Sequence, residues 1–154
     1  MNKLLIVLAL LAVSQSIHAE EVAVCGGESG YVYFAGYGMV PENKVGWHKD
    51  AITGGKITIT VTNNKYDLLY ADATGSLVST VEDGGQVIFT RSSPIDMSLV
   101  VLYGRATEIY TFWKTKNGKL QYSHLHNKSE PFPKSTAMIG TCTLINFAAV
   151  NVGK

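Results

Sequence analysis

Charge is scarce in this chain, and its two signs cancel. Charged residues make up 16% of 154 positions, with 13 Lys and Arg against 12 Asp and Glu for a formal net charge of +1, where soluble chains average about 25% charged. No field of one sign is left to steer nucleic acid or an anionic membrane towards the surface, so neither is expected as a partner. Long apolar runs are missing beyond Val13, so no later segment reads as a membrane-spanning helix. Charge runs, low-complexity tracts and Pro/Gly/Ser linkers are also missing, which speaks against a second domain or a disordered tail.

The motifs of common cofactor and enzyme sites are lacking too. The glycine-rich stretch GGESGYVYFAGYG has neither G-x-G-x-x-G spacing nor the lysine of a phosphate loop. Gly27-Glu28-Ser29-Gly30 sets its glycines too close together for a nucleophile elbow. There is no H-E-x-x-H, no C-x-x-C and no EF-hand loop, so no cofactor and no metal are expected. The carboxylates Asp67, Asp72, Glu82 and Asp83 fall at or near turns, where calcium at a loop is the weaker reading.

What is present begins with Lys3, an apolar run from Leu4 to Val13, and small residues at Ser16 and Ala19. That pattern predicts a secretory signal peptide over residues 1–19 and a mature domain over 20–154, in an extracellular location. Removing Lys3 leaves the basic and acidic residues equal in number. Only Cys25 and Cys142 remain as thiols, and in an oxidising compartment they are expected to form one disulfide tying the two ends of the domain.

From Gly54 to Tyr103 strand-like runs alternate with glycine-bearing turns. In GGKITITVT, Ile57, Ile59 and Val61 share one side and the threonines the other, the period of two expected for a strand with one buried face. Further runs are read at 31–34, 66–71, 76–81, 86–90, 97–103, 107–114, 119–124 and 137–147. An Asn117-Gly118 type I′ turn is expected between two of them. TGGKITIT at 53–60 and DGGQVIFT at 83–90 resemble each other, which shared turn chemistry explains better than duplication. The expected fold is an all-β, single-domain antiparallel β-sandwich of about nine short strands, with a barrel as the alternative.

Three sets of residues carry the functional expectations. Tyr31, Tyr33, Tyr37 and Trp47 cluster in a glycine-rich segment, with Tyr37 and Trp47 read as lying in irregular backbone, and could form a sugar-stacking platform or a protein contact. Glu108 interrupts the apolar run TEIYTFW on the face shared by Tyr110 and Phe112. It reads as a buried acid or as an edge carboxylate meeting Arg105 or a lysine. His124 and His126 are two apart, so in a continued strand they face one way. Sharing a metal with His48 or an acidic residue is a weaker reading than solvent-facing or hydrogen-bonded imidazoles. Asn127-Lys128-Ser129 is an N-glycosylation sequon expected in a loop. Together these point to a secreted, non-enzymatic protein that binds an extracellular protein or carbohydrate. The alternative is a small hydrolase working through carboxylates.

Overall fold

The computed structural model describes residues 19–71 and 75–150. Residues 1–18 of the signal peptide expected over 1–19, and the Asp72–Thr74 part of one turn, lie outside them. Ten antiparallel strands form one continuous sheet in the order β5-β4-β3-β1-β10-β9-β8-β7-β6, with β2 pairing to β1 off that path. The strands are β1 (Glu20–Phe34), β2 (Gly46–Ile52), β3 (Ile57–Thr62), β4 (Lys65–Ala71), β5 (Leu77–Ser79), β6 (Gln86–Ser92), β7 (Asp96–Leu102), β8 (Ala106–Lys114), β9 (Leu120–Lys128) and β10 (Lys134–Ile145). The fold is all-β, a half-barrel or sandwich with its terminal strands joined by a disulfide.

Two layers arise because this one sheet curls, not because two sheets stack. Tyr66 of β4, near one edge, meets Phe89 of β6, the other edge, with ring centroids 4.5 Å apart. Between the halves lies a core of Val22, Ile59, Leu68, Met97, Leu99 and Phe112, all sealed from solvent. Their alternation along each strand is what fixes the register, since a slip of one residue would turn the whole set outwards.

β1 is the hub. Its first half pairs with β3, its second half with β2, and its other edge with β10. The change of partner coincides with the irregularity between Cys25 and Glu28, where Gly26 and Gly27 let the strand bend. Cys25 and Cys142 sit opposite each other across β1 and β10 and are disulfide-bonded over a separation of 117 residues.

Several local expectations are corrected. β2 replaces the irregular backbone expected around Trp47: GWHKDAI is almost wholly exposed, so no buried alternation marks it, and its pairing with β1 makes it a strand. β1 begins at Glu20 rather than near Tyr31, its glycines being absorbed as bulges. The type I′ turn falls at Asn63-Asn64, both at positive φ (51° and 61°), instead of at Asn117-Gly118. In the latter only Gly118 is left-handed (84°) and closes a longer loop. Asn127 is in β9, exposed, and its side-chain oxygen accepts a hydrogen bond from Ser135 Oγ at 2.7 Å, so the sequon is not in a loop.

Candidate functional site

Strand alternation sends Tyr122, His124 and His126 of β9 to the concave face, beside Glu108, Tyr110 and Phe112 of β8. The register places Glu108 opposite His126 and Tyr110 opposite His124. Two strands away, Glu28 of β1 faces the same interior, and Gly140 of β10 is its partner in register. Having no side chain, Gly140 leaves room for the Tyr122 ring: a Cβ there would lie 2.3 Å from Tyr122 Cε1. The fully buried Tyr122 packs over that gap and donates its hydroxyl proton to Gly26 O at 3.0 Å.

Glu28 of β1 reaches His124 of β9 across β10. Its carboxylate oxygens lie 2.9 and 3.2 Å from His124 Nδ1. Both groups are deep, with side-chain exposures of 4% and 11%. On the far side of the ring, Nε2 is 3.8 Å from Glu108 Oε2, within ion-pair range but too long for a hydrogen bond. Nε2 is buried and has no hydrogen-bond partner. Glu108 instead accepts a hydrogen bond from Tyr110 OH at 2.8 Å, and Tyr110 stacks on His124 with centroids 4.3 Å apart and planes 8° off parallel.

These neighbours set the electrostatics. Burial, reinforced by the charge of Glu108, holds the Tyr110 phenol well above its ordinary range, and burial with the charge of Glu28 does the same for Tyr122. Burial first, then His124 and the ammonium groups of Lys134 and Lys128, lowers His126 to about 4 against a weaker opposing pull from Glu28. At neutral pH His126 is therefore an uncharged imidazole with a free lone pair.

The cluster opens on a concave cavity of about 420 Å³. Tyr70, Tyr103, Asp83, Arg105 and Lys56 supply much of the remaining wall. Tyr103 donates to Thr80 Oγ1 at 3.3 Å, and Tyr70 OH lies 3.4 Å from Asp83 Oδ2. Burial, then the charge of Asp83, raises Tyr70 to about 12.

The residues singled out from sequence fall in two separate places. Glu108 lines the cavity, on the face expected for it, but Arg105 pairs with Glu130 at 3.3 Å instead of with Glu108. Tyr31, Tyr33 and Trp47 lie on the outward face of β1 and β2. Tyr33 and Trp47 are partners in register with ring centroids 5.3 Å apart, and Trp47 is 64% exposed. Tyr37 is exposed in the segment between those strands. From Tyr31 the outward row continues in register through Ala137, Leu125, Ile109, Val100 and Ile88, an apolar band along the convex face.

His48 hydrogen-bonds Lys44 O at 2.8 Å and stands apart from the other histidines. Asp67 accepts from Ser79 Oγ and Val81 N and so pins a turn. Among the described residues, the expected loop carboxylates do not gather as ligands, whereas Glu108, His124 and His126 do. Sequence reasoning missed Glu28, whose role depends on a pairing 96 residues away. The one local signal was the glycine pair ahead of it. No helix among the described residues is long and apolar enough to cross a membrane.

No family model, curated protein or solved structure matches the chain.

Proposed function

We propose that this is a secreted, non-enzymatic binding protein that holds a small carbohydrate in its concave cavity. The observation that carries this reading is the convergence of Glu108, Asp83, Arg105 and Lys56 with the rings of Tyr70 and Tyr103 around about 420 Å³ of space. Small-ligand pockets span about 300–1,000 Å³. Sugars present hydroxyls that pair with carboxylates and cations, and C–H faces that pack on aromatic rings. Secretion follows from the leader expected over residues 1–19, and a glycan on Asn127 would stand on the outward face, clear of the cavity.

A second reading, a small glycoside hydrolase, is favoured by Glu108 and Asp83 lining one cavity. Such enzymes work with two carboxyl groups about 5–9.5 Å apart. Glu28 lines the same cavity but is nearly buried and engaged by His124 Nδ1 at 2.9 Å, so Asp83 is the more accessible partner for Glu108.

Screening the oxidised protein on an oligosaccharide array tests both readings. Binding that is lost in Glu108→Gln and kept in Trp47→Ala supports the cavity. The reverse pattern moves the site to the outward aromatic face and overturns the reading. Time-dependent release of new reducing ends, abolished by Glu108→Gln, would establish the hydrolase instead.

A further inference from the structure

We propose that Glu108, His124 and His126 form a binding site for one divalent transition-metal ion, zinc being the ion that the donor set fits best. One ligand atom from each of the three lies within 4.8 Å of the other two. Zinc bonds of about 2.0–2.2 Å place tetrahedral ligand atoms about 3.4 Å apart. Glu108 Oε2 and His124 Nε2, at 3.8 Å, are already close to that spacing. The partly exposed side chains of Glu108 and His126 can close the rest by small rotations.

The independent observation is His124 Nε2. It sits on a residue only 9% exposed, has no hydrogen-bond partner, and faces Glu108. A desolvated nitrogen left alone costs about 1–3 kcal/mol, and a metal ion would remove that cost. Its other nitrogen is already oriented as in metal sites, where a ligating imidazole donates its second N–H to a carboxylate. Glu28 fills that place at 2.9 Å. Tyr110 does the equivalent for Glu108 by donating to Oε2 at 2.8 Å.

Charge and access agree with a cation. Glu28 and Glu108 flank the site, so a dication balances two carboxylates. Two imidazoles and one carboxylate select zinc, copper, nickel or iron over magnesium and calcium, which prefer all-oxygen shells. Three protein ligands beside an open cavity leave a fourth position for water or for a ligand's oxygen. Lys128 and Lys134 lie near enough to His126 to oppose a cation, so binding weaker than that of a structural zinc site is expected.

This inference goes beyond carbohydrate binding and does not depend on it, because uptake of the metal alone is measured. The full-length, disulfide-bonded protein is stripped with chelator and titrated calorimetrically with Zn²⁺. One ion per chain is expected, with no heat from Mg²⁺ at the same concentration. His126→Ala and Glu108→Gln should each weaken binding at least tenfold, Glu28→Gln by about 10–100-fold through the ring it orients, and His48→Ala not at all. Should a variant fail to fold, the imidazole nitrogen resonances of the unsubstituted protein decide: Zn²⁺ should shift those of His124 and His126 and leave those of His48 in place. Absence of stoichiometric uptake, uptake unaltered in both His126→Ala and Glu108→Gln, or a shift confined to His48 overturns the proposal.

Discussion

His124 Nδ1 lies 2.9 Å from Glu28 Oε1 across β10, a contact between residues 96 positions apart that ties the first strand to the ninth through the interior. Deleting the carboxylate leaves a buried ring nitrogen without its partner. Glu28→Ala should therefore destabilise the fold by about 1–3 kcal/mol, read as a lower urea midpoint, with Glu28→Gln less affected because its amide oxygen can still accept the hydrogen bond.

Gly140, the register partner of Glu28, leaves room for the Tyr122 ring. An added Cβ would meet Tyr122 at Cε1, Cζ and the hydroxyl, at 2.3, 2.6 and 2.8 Å, so the fully buried ring would have to shift and give up its bond to Gly26 O. Gly140→Ala should cost about 1–3 kcal/mol or more. Gly104→Ala is the control, since nothing lies within 4 Å of its Cβ position. It should change the midpoint little.

Much of this architecture is legible in the residues. The alternation of Ile57, Ile59 and Val61 gives β3 and its buried side, and the i, i+2 spacing puts His124 and His126 on one face. Cys25 and Cys142, as the only cysteines, give the closure of the ends. β2 is not legible, because an exposed edge strand has no reason to alternate. Nor is the Glu28–His124–Glu108 line. It joins three strands whose order in the sheet is set by long-range pairing, and no spacing along one segment encodes that.

Reducing the disulfide should lower stability substantially. Cys25 and Cys142 close a loop of 117 residues, and restricting the unfolded chain over that length contributes up to about 4–5 kcal/mol. Urea unfolding of the oxidised protein and of Cys25→Ser/Cys142→Ser measures it. The double variant should keep the same far-ultraviolet spectrum at low denaturant and unfold at a clearly lower midpoint.

Alkaline pH should unfold the protein cooperatively. Tyr70 is raised to about 12, by burial first and then by Asp83, and Tyr103 is raised mainly by burial. The unfolded chain releases these protons near pH 10, so above that it binds fewer than the folded state and stability falls as pH rises from 10 towards 12. Below pH 10 the contribution is fully present. Absorbance at 295 nm should show a tyrosine step that coincides with loss of β-sheet circular dichroism, and Asp83→Asn should lower the pH at which Tyr70 ionises. A Tyr70 signal that titrates near 10 with the fold intact would contradict this.

Everything proposed for the metal site depends on His124 keeping its Nδ1–H on Glu28 and giving Nε2, which faces Glu108, to the ion. Long-range ¹H–¹⁵N correlation of the protein loaded with one equivalent of Zn²⁺ reads this directly. The expected spectrum shows Nδ1 bearing the proton and Nε2 moved to the metal-bound range, unchanged in Trp47→Ala. A His124 that binds Zn²⁺ through Nδ1, or whose two nitrogens do not move when the ion is added, would contradict the site.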